Sequence, residues 1–270
     1  AYKDNRAPLM AMIHELPKKI ESISVLLDQP EKDVKQPLQD ICPFTVFALF
    51  NRGITDDNRK AIARELADFL DVDIPVPESF DGIPLVNNQR SWFFGYEFLR
   101  DDQDIDTLWG LFATAIEYAN DTENDSIEAL ASAYNNATKC WGVGWNITMG
   151  LYWIRPWKYL TLDGQSQTYI TKKLGLDIGL HGEKGRSSAS DYFKLAADLE
   201  ARFQDDAYPV HSFPELSQAA YFYKSDDAPS PTYDLESDSD DEDFVDDESS
   251  IITKDIIPKF NELAMPILQA

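Results

Sequence analysis

Apolar residues recur along this chain at intervals of three and four, the pattern of helices packed by one face. Leu9, Ile13, Leu16, Ile20, Ile23 and Leu27 predict a helix over 7–27, with Pro17 as its point of kink or break. The stretch CPFTVFALFNRGIT predicts a short buried helix, ended at Asn51-Arg52-Gly53 by a glycine suited to a left-handed cap. Thr55-Asp56-Asp57 then opens a helix that buries Ile62, Leu66 and Phe69. Further helical patterns cover 105–118, 126–137, the residues up to Pro156, 166–175 with Gly175 as the stop, 190–203 and 213–223. Residues 158–163, KYLTLD, alternate as a short strand does. QPEKDVKQP (29–37) reads as a connector, and the glycine-broken KCWGVGWNIT and GLDIGLHGEKGRSS read as loops. The fold class expected is mainly α, or α+β with one small β element.

One stretch is harder to place. NNQRSWFFGYEFLR, residues 87–100, fits a helix with Trp92, Tyr96 and Leu99 on one stripe and Phe94 and Phe98 on a second. Trp92, Phe94 and Phe98 are expected in the core, whereas the polar lead-in of Asn87, Asn88 and Arg90 is open to another use.

Composition divides the chain into three. Residues 1–223 carry the helical patterns. Residues 224–250 have almost nothing to bury and a dense run of acids, and read as a disordered acidic linker. Residues 251–270 are apolar again but too short for a core of their own, so they dock on the body or begin another domain. The first residues read as helix without an initiator Met, which suggests an excised or truncated piece.

Charge narrows the choice of partner. The net charge is −24, and only 13 of the 48 acids lie between Lys224 and Asp255, so the helical part is acidic too. Broad electrostatic binding to nucleic acid or an anionic membrane is therefore excluded, and DNA contact would need a local basic patch. Arg52, Arg59, Arg64, Arg90, Arg100, Arg155, Lys158, Lys172 and Lys173 are the cations that could supply one. Two cysteines, Cys42 and Cys140, support neither a disulfide framework nor a thiolate zinc site and fit a reducing, cytoplasmic setting. No apolar run approaches the roughly 18 residues of a membrane span.

Catalytic signatures are missing. There is no G-x-x-x-x-G-K-[ST] loop, no H-E-x-x-H pair and no G-x-S-x-G elbow, and GEKGRSS lacks the order of a phosphate loop. The chain is expected to be no enzyme by itself and to hold no cofactor or metal. Its informative feature is a collection of aromatics and amides: Asn87, Asn88, Arg90, Trp92, Tyr96, Trp141, Trp145, Asn146, Trp153, Arg155, Trp157 and Tyr159. Such groups build either a cage in which a base stacks while an amide reads its edge, or a tryptophan-rich core whose amides bond loop backbone.

The segments FALFNRGIT, FDGIPLVNNQRSWFFGYE, DIDTLWGLF, GWNITMGLYWIRPWKYLTLD and FPELS resemble, in order and spacing, the region before the AAA+ motor of McrB-type, modification-dependent restriction proteins. The likeness covers roughly residues 43–216. It implies a non-catalytic module that recognises DNA, often carrying a modified cytosine, beside a motor using GTP or ATP with Mg and a separate nuclease subunit. On that reading Asn87, Asn88, Arg90, Trp92, Tyr96, Trp145, Asn146, Trp153 and Arg155 contact DNA. The alternative is a scaffolding domain that positions motor or nuclease without touching DNA.

Overall fold

A computed structural model describes residues 2–21, 23–80, 82–86, 91–120 and 126–223. Asn87, Asn88, Arg90, the acidic segment and residues 251–270 lie outside the described residues. The described residues form nine α-helices and one antiparallel hairpin: α1 (Ala7–Lys19), β1 (Leu27–Glu31), β2 (Val34–Pro37), α2 (Pro43–Ala48), α3 (Asp56–Phe69), α4 (Asp104–Asn120), α5 (Ile127–Ala137), α6 (Asn146–Ile154), α7 (Gly164–Thr168), α8 (Ala189–Arg202) and α9 (Phe213–Phe222). The fold is mainly helical with a small β element.

Helix α6 is the centre of the body, with all nine of its residues buried. It packs on α2 and α4, α4 on α5, and α5 on α8. The approach of α6 to α2 is set by Gly150, where a Cβ would stand 2.6 Å from a Phe44 ring carbon. Phe93 then fills the angle, its ring 5.6 Å from Phe44 and 5.9 Å from Trp153. Buried rings keep their polar atoms paired: Trp109 Nε1 donates to the Ile41 carbonyl, Tyr159 to Ala115 and Tyr192 to Leu160. Caps match the expected starts. Thr55 accepts from the Asn58 amide at the head of α3, and Ser188 with Asp191 forms a reciprocal capping box on α8.

Several expectations are corrected. The helix over 7–27 stops at Lys19, two residues after Pro17, and Ile20 and Ile23 are buried without being helical. Gly53 is not left-handed, whereas Gly175 is, with φ 67°. The strand is not at 158–163, where the Leu162 amide bonds the Thr148 hydroxyl rather than a neighbouring strand. It falls instead in the supposed connector, which reverses through Asp33 at φ 67°.

Residues 91–100 form no helix because three amides along the stretch are claimed from elsewhere. Phe93 N–H donates to Thr45 Oγ1, Glu97 N–H to Asp28 Oδ1 and Phe98 N–H to the Gln29 carbonyl. Phe94 is core as expected, Trp92 is half-buried and Phe98 is exposed.

Candidate functional site

Three loops meet at the N-terminal end of α6: residues 91–100, the α5–α6 turn at 139–145, and the 175–188 loop that leads into α8. Asn146 joins the first two. Its Oδ1 accepts from Gly144 N–H at 2.7 Å, and its Nδ2 donates to the carbonyls of Trp92 (3.2 Å) and Gly142 (3.3 Å). Gly142, at φ 80°, brings backbone against backbone: a Cβ there would lie 2.9 Å from the Phe94 carbonyl carbon. From below, buried Asp104 at the head of α4 accepts the Trp141 amide at 3.3 Å.

The third loop adds charge. Arg186 lies along the 142–144 turn, its Nη1 3.4 Å from the Val143 carbonyl and its Nη2 3.4 Å from where a Cβ on Gly144 would stand. Lys184 Nζ is 5.8 Å from the centre of the Trp141 ring, a cation–π distance. Lys184 holds φ 53°, a left-handed conformation that a residue with a Cβ adopts at some cost. The loops thus carry three residues with half-buried indoles, Trp92, Trp141 and Trp145, and set two cations beside them, Lys184 at the Trp141 ring and Arg186 along the turn. The face so formed offers stacking area and positive charge.

Placement of the sequence candidates is mixed. Trp92 and Trp145 reach this face. Asn146 reaches it too, but as a buried clamp whose amide is taken up by backbone. Trp153 is buried in the core, with Nε1 donating to the Pro84 carbonyl at 2.8 Å. Arg155 caps the far end of α6, about 13 Å along the axis from Asn146 at 1.5 Å per residue, and its Nη1 returns to the Ile154 carbonyl. Tyr96 is half-buried and stacks on Phe98 with 6.0 Å between centroids. Among the described residues, three of the candidate cations are engaged at separate places. Arg59 pairs with Asp56, Arg100 with Asp28, and Lys158 stands 4.6 Å above Tyr118.

Lys184 and Arg186 were absent from the sequence candidates as binding residues. The signal for them was the glycine-framed cation pair in GEKGR, set aside because it has no phosphate-loop order. Burial pushes the Cys42 thiol up to about 11 and the Cys140 thiol up to about 12, which keeps both protonated and unreactive at neutral pH. Among the described residues no group of three His, Cys, Asp or Glu is arranged to hold a metal ion. No helix among them is long and apolar enough to cross a membrane. Elsewhere a cavity of about 70 Å³ is lined by Tyr118, Lys158, Tyr159, Tyr192, Phe193 and Glu200, with the hydroxyls of Tyr159 and Tyr192 bonded to backbone.

The fold and this face define a helical domain that presents a loop-built aromatic surface. The chain belongs to the family described as "Domain of unknown function (DUF8425)", which it matches over residues 1–223. No curated protein and no solved structure matches it.

Proposed function

We propose that this domain is a non-catalytic recognition module of an NTP-dependent restriction machine of the McrB type, and that it meets DNA through the face at the N-terminal end of α6. The observation that supports this reading most directly is the half-buried Trp141 ring with Lys184 over it and Arg186 along the adjoining turn, on loops that also carry Trp92 and Trp145. Half-exposed indoles stack on bases of any sequence, and neighbouring cations hold phosphates. With Asn146 engaged by backbone, the base-reading amide would come from Asn87 or Asn88, beside Trp92 in sequence. Motor and nuclease chemistry belong to other domains or subunits on this reading, and GTP or ATP with Mg would be bound there.

The test is binding of the full chain to modified and unmodified duplexes in a gel-shift series at rising salt. Binding that falls with salt and drops roughly 5- to 150-fold in Trp141→Ala, the range of about 1–3 kcal/mol per stacked base, supports the reading. No binding to any duplex at low salt overturns it.

A second reading is favoured by the charge of −24 and by the engagement of Arg59 and Arg100 with carboxylates. In it the same face docks the motor or nuclease subunit without DNA. That reading is supported if duplex binding is absent while Trp141→Ala abolishes co-sedimentation with the partner subunit.

A further inference from the structure

The loop that carries Lys184 and Arg186 is held at its base by one carboxylate. Asp191, in the first turn of α8, accepts from the His181 amide (3.0 Å), His181 Nδ1 (2.9 Å), the Ser188 amide (3.0 Å) and the Ser188 hydroxyl (2.9 Å). A capping box needs only the Ser188 contacts. The two from His181 are additional, and they draw in a residue ten positions earlier in the chain. Glycines make the closure possible. A Cβ on Gly179 would stand 2.5 Å from the Asp191 carboxyl carbon, and one on Gly182 would stand 2.7 Å from the Ser188 nitrogen. Inside the ring so formed, Gly182 N–H donates to the Arg186 carbonyl at 2.7 Å. Lys184 and Arg186 are therefore carried on a short closed arch with Asp191 at its foot.

We infer that Asp191 is a positioning residue for the aromatic face: it latches the 179–188 arch to α8, holding Lys184 over Trp141 and Arg186 along the 142–144 turn. The recognition role of that face rests on the function proposed above, but the latch itself does not. Asp191 touches no ligand on this account; it acts through where it places the two cations. Oδ2 alone takes both amides and the Ser188 hydroxyl, contacts an asparagine oxygen would keep; Asp191→Ala removes every acceptor, so the arch loses its anchor while the helix keeps its apolar packing.

The full chain labelled with 5-fluorotryptophan gives one ¹⁹F resonance for each of its six tryptophans, and Trp141→Phe assigns the one that matters. Lys184→Ala sets the position of the Trp141 signal when the ammonium is gone. The expected result is that Asp191→Ala moves the Trp141 signal toward that position and leaves the core signals of Trp109 and Trp153 in place, which a general loss of stability would not do. A Trp141 signal that stays at its wild-type position in Asp191→Ala, or that does not respond to Lys184→Ala, overturns the inference. Should Asp191→Ala merge all six signals by unfolding, the His181→Ala/Ser188→Ala double variant is read by the same two criteria. Duplex binding by the wild-type chain is measured separately: its absence alongside a moved Trp141 signal removes the DNA reading and leaves the latch standing.

Discussion

Asp28 and Arg100 form an ion pair at 2.7 Å, with side chains 2% and 11% exposed. Asp28 Oδ1 also accepts the Glu97 amide, and Arg100 Nη1 donates to the Gly95 carbonyl, so the pair staples the 91–100 loop to the hairpin. Removing one partner of such a pair leaves a buried charge alone, at a cost of about 3–5 kcal/mol. Arg100→Ala is expected to lower the urea-unfolding free energy by that amount, whereas the Arg100→Met/Asp28→Asn double variant, which buries no charge and keeps an acceptor for the Glu97 amide, recovers most of it.

Gly150→Ala tests the packing of α6 on α2. Alanine is favoured over glycine in a helix by about 1 kcal/mol. Here the added methyl meets the fully buried Phe44 ring at 2.6 Å, and overpacking of this kind costs about 1–3 kcal/mol. The steric term is expected to win, giving a lower melting temperature despite the better propensity.

Neither thiol should react in the folded chain. Both are buried, and burial raises their pKa values to about 11 and about 12. Ellman's reagent at pH 8 is expected to titrate none within minutes in buffer and both in denaturant. Fast labelling in buffer would show that the core around α2 and the α5–α6 turn opens readily.

Asp191 sets an acid limit on the arch. Burial alone would raise its pKa, but hydrogen bonds from His181 and Ser188 outweigh it and hold the carboxyl at about 2, below the usual 3.8. A pKa lowered by folding adds stability that is fully present above the unfolded value and is lost as pH falls through the folded one. Stability attributable to Asp191 should therefore decline from about pH 4 towards pH 2. Urea titrations across that window should show a shallower decline in Asp191→Asn than in the wild type.

The helices were legible because each buries one face: Leu130 and Tyr134 in α5, or Ile62 and Leu66 in α3, announce their period directly. The hairpin was not, because Pro30, Pro37 and five charged residues give it no alternation, and its shape comes from the Asp33 turn and from packing against Glu97 and Phe98. The 91–100 loop was misread for a related reason. Its aromatics have helical spacing, but the groups that decide its course, Thr45 and Asp28, are 48 and 69 residues away. Of the site, the indoles were visible as a tryptophan-rich run. That Asn146 would clamp backbone and that Lys184 would arrive over Trp141 are consequences of tertiary approach, which spacing along the chain does not encode.

The small ribbon also has a bearing on how the domain keeps to itself. The Leu38 amide bonds the Leu26 carbonyl and Asp28 faces Gln36, so the outward-turned backbone groups of β2 are those of Lys35 and Pro37. Proline has no proton to give, and a lysine ammonium resists a neighbouring chain. A second molecule is thereby offered a single amide on that margin, too little for strand-by-strand association, and the domain carries this ribbon without inviting fibrous growth.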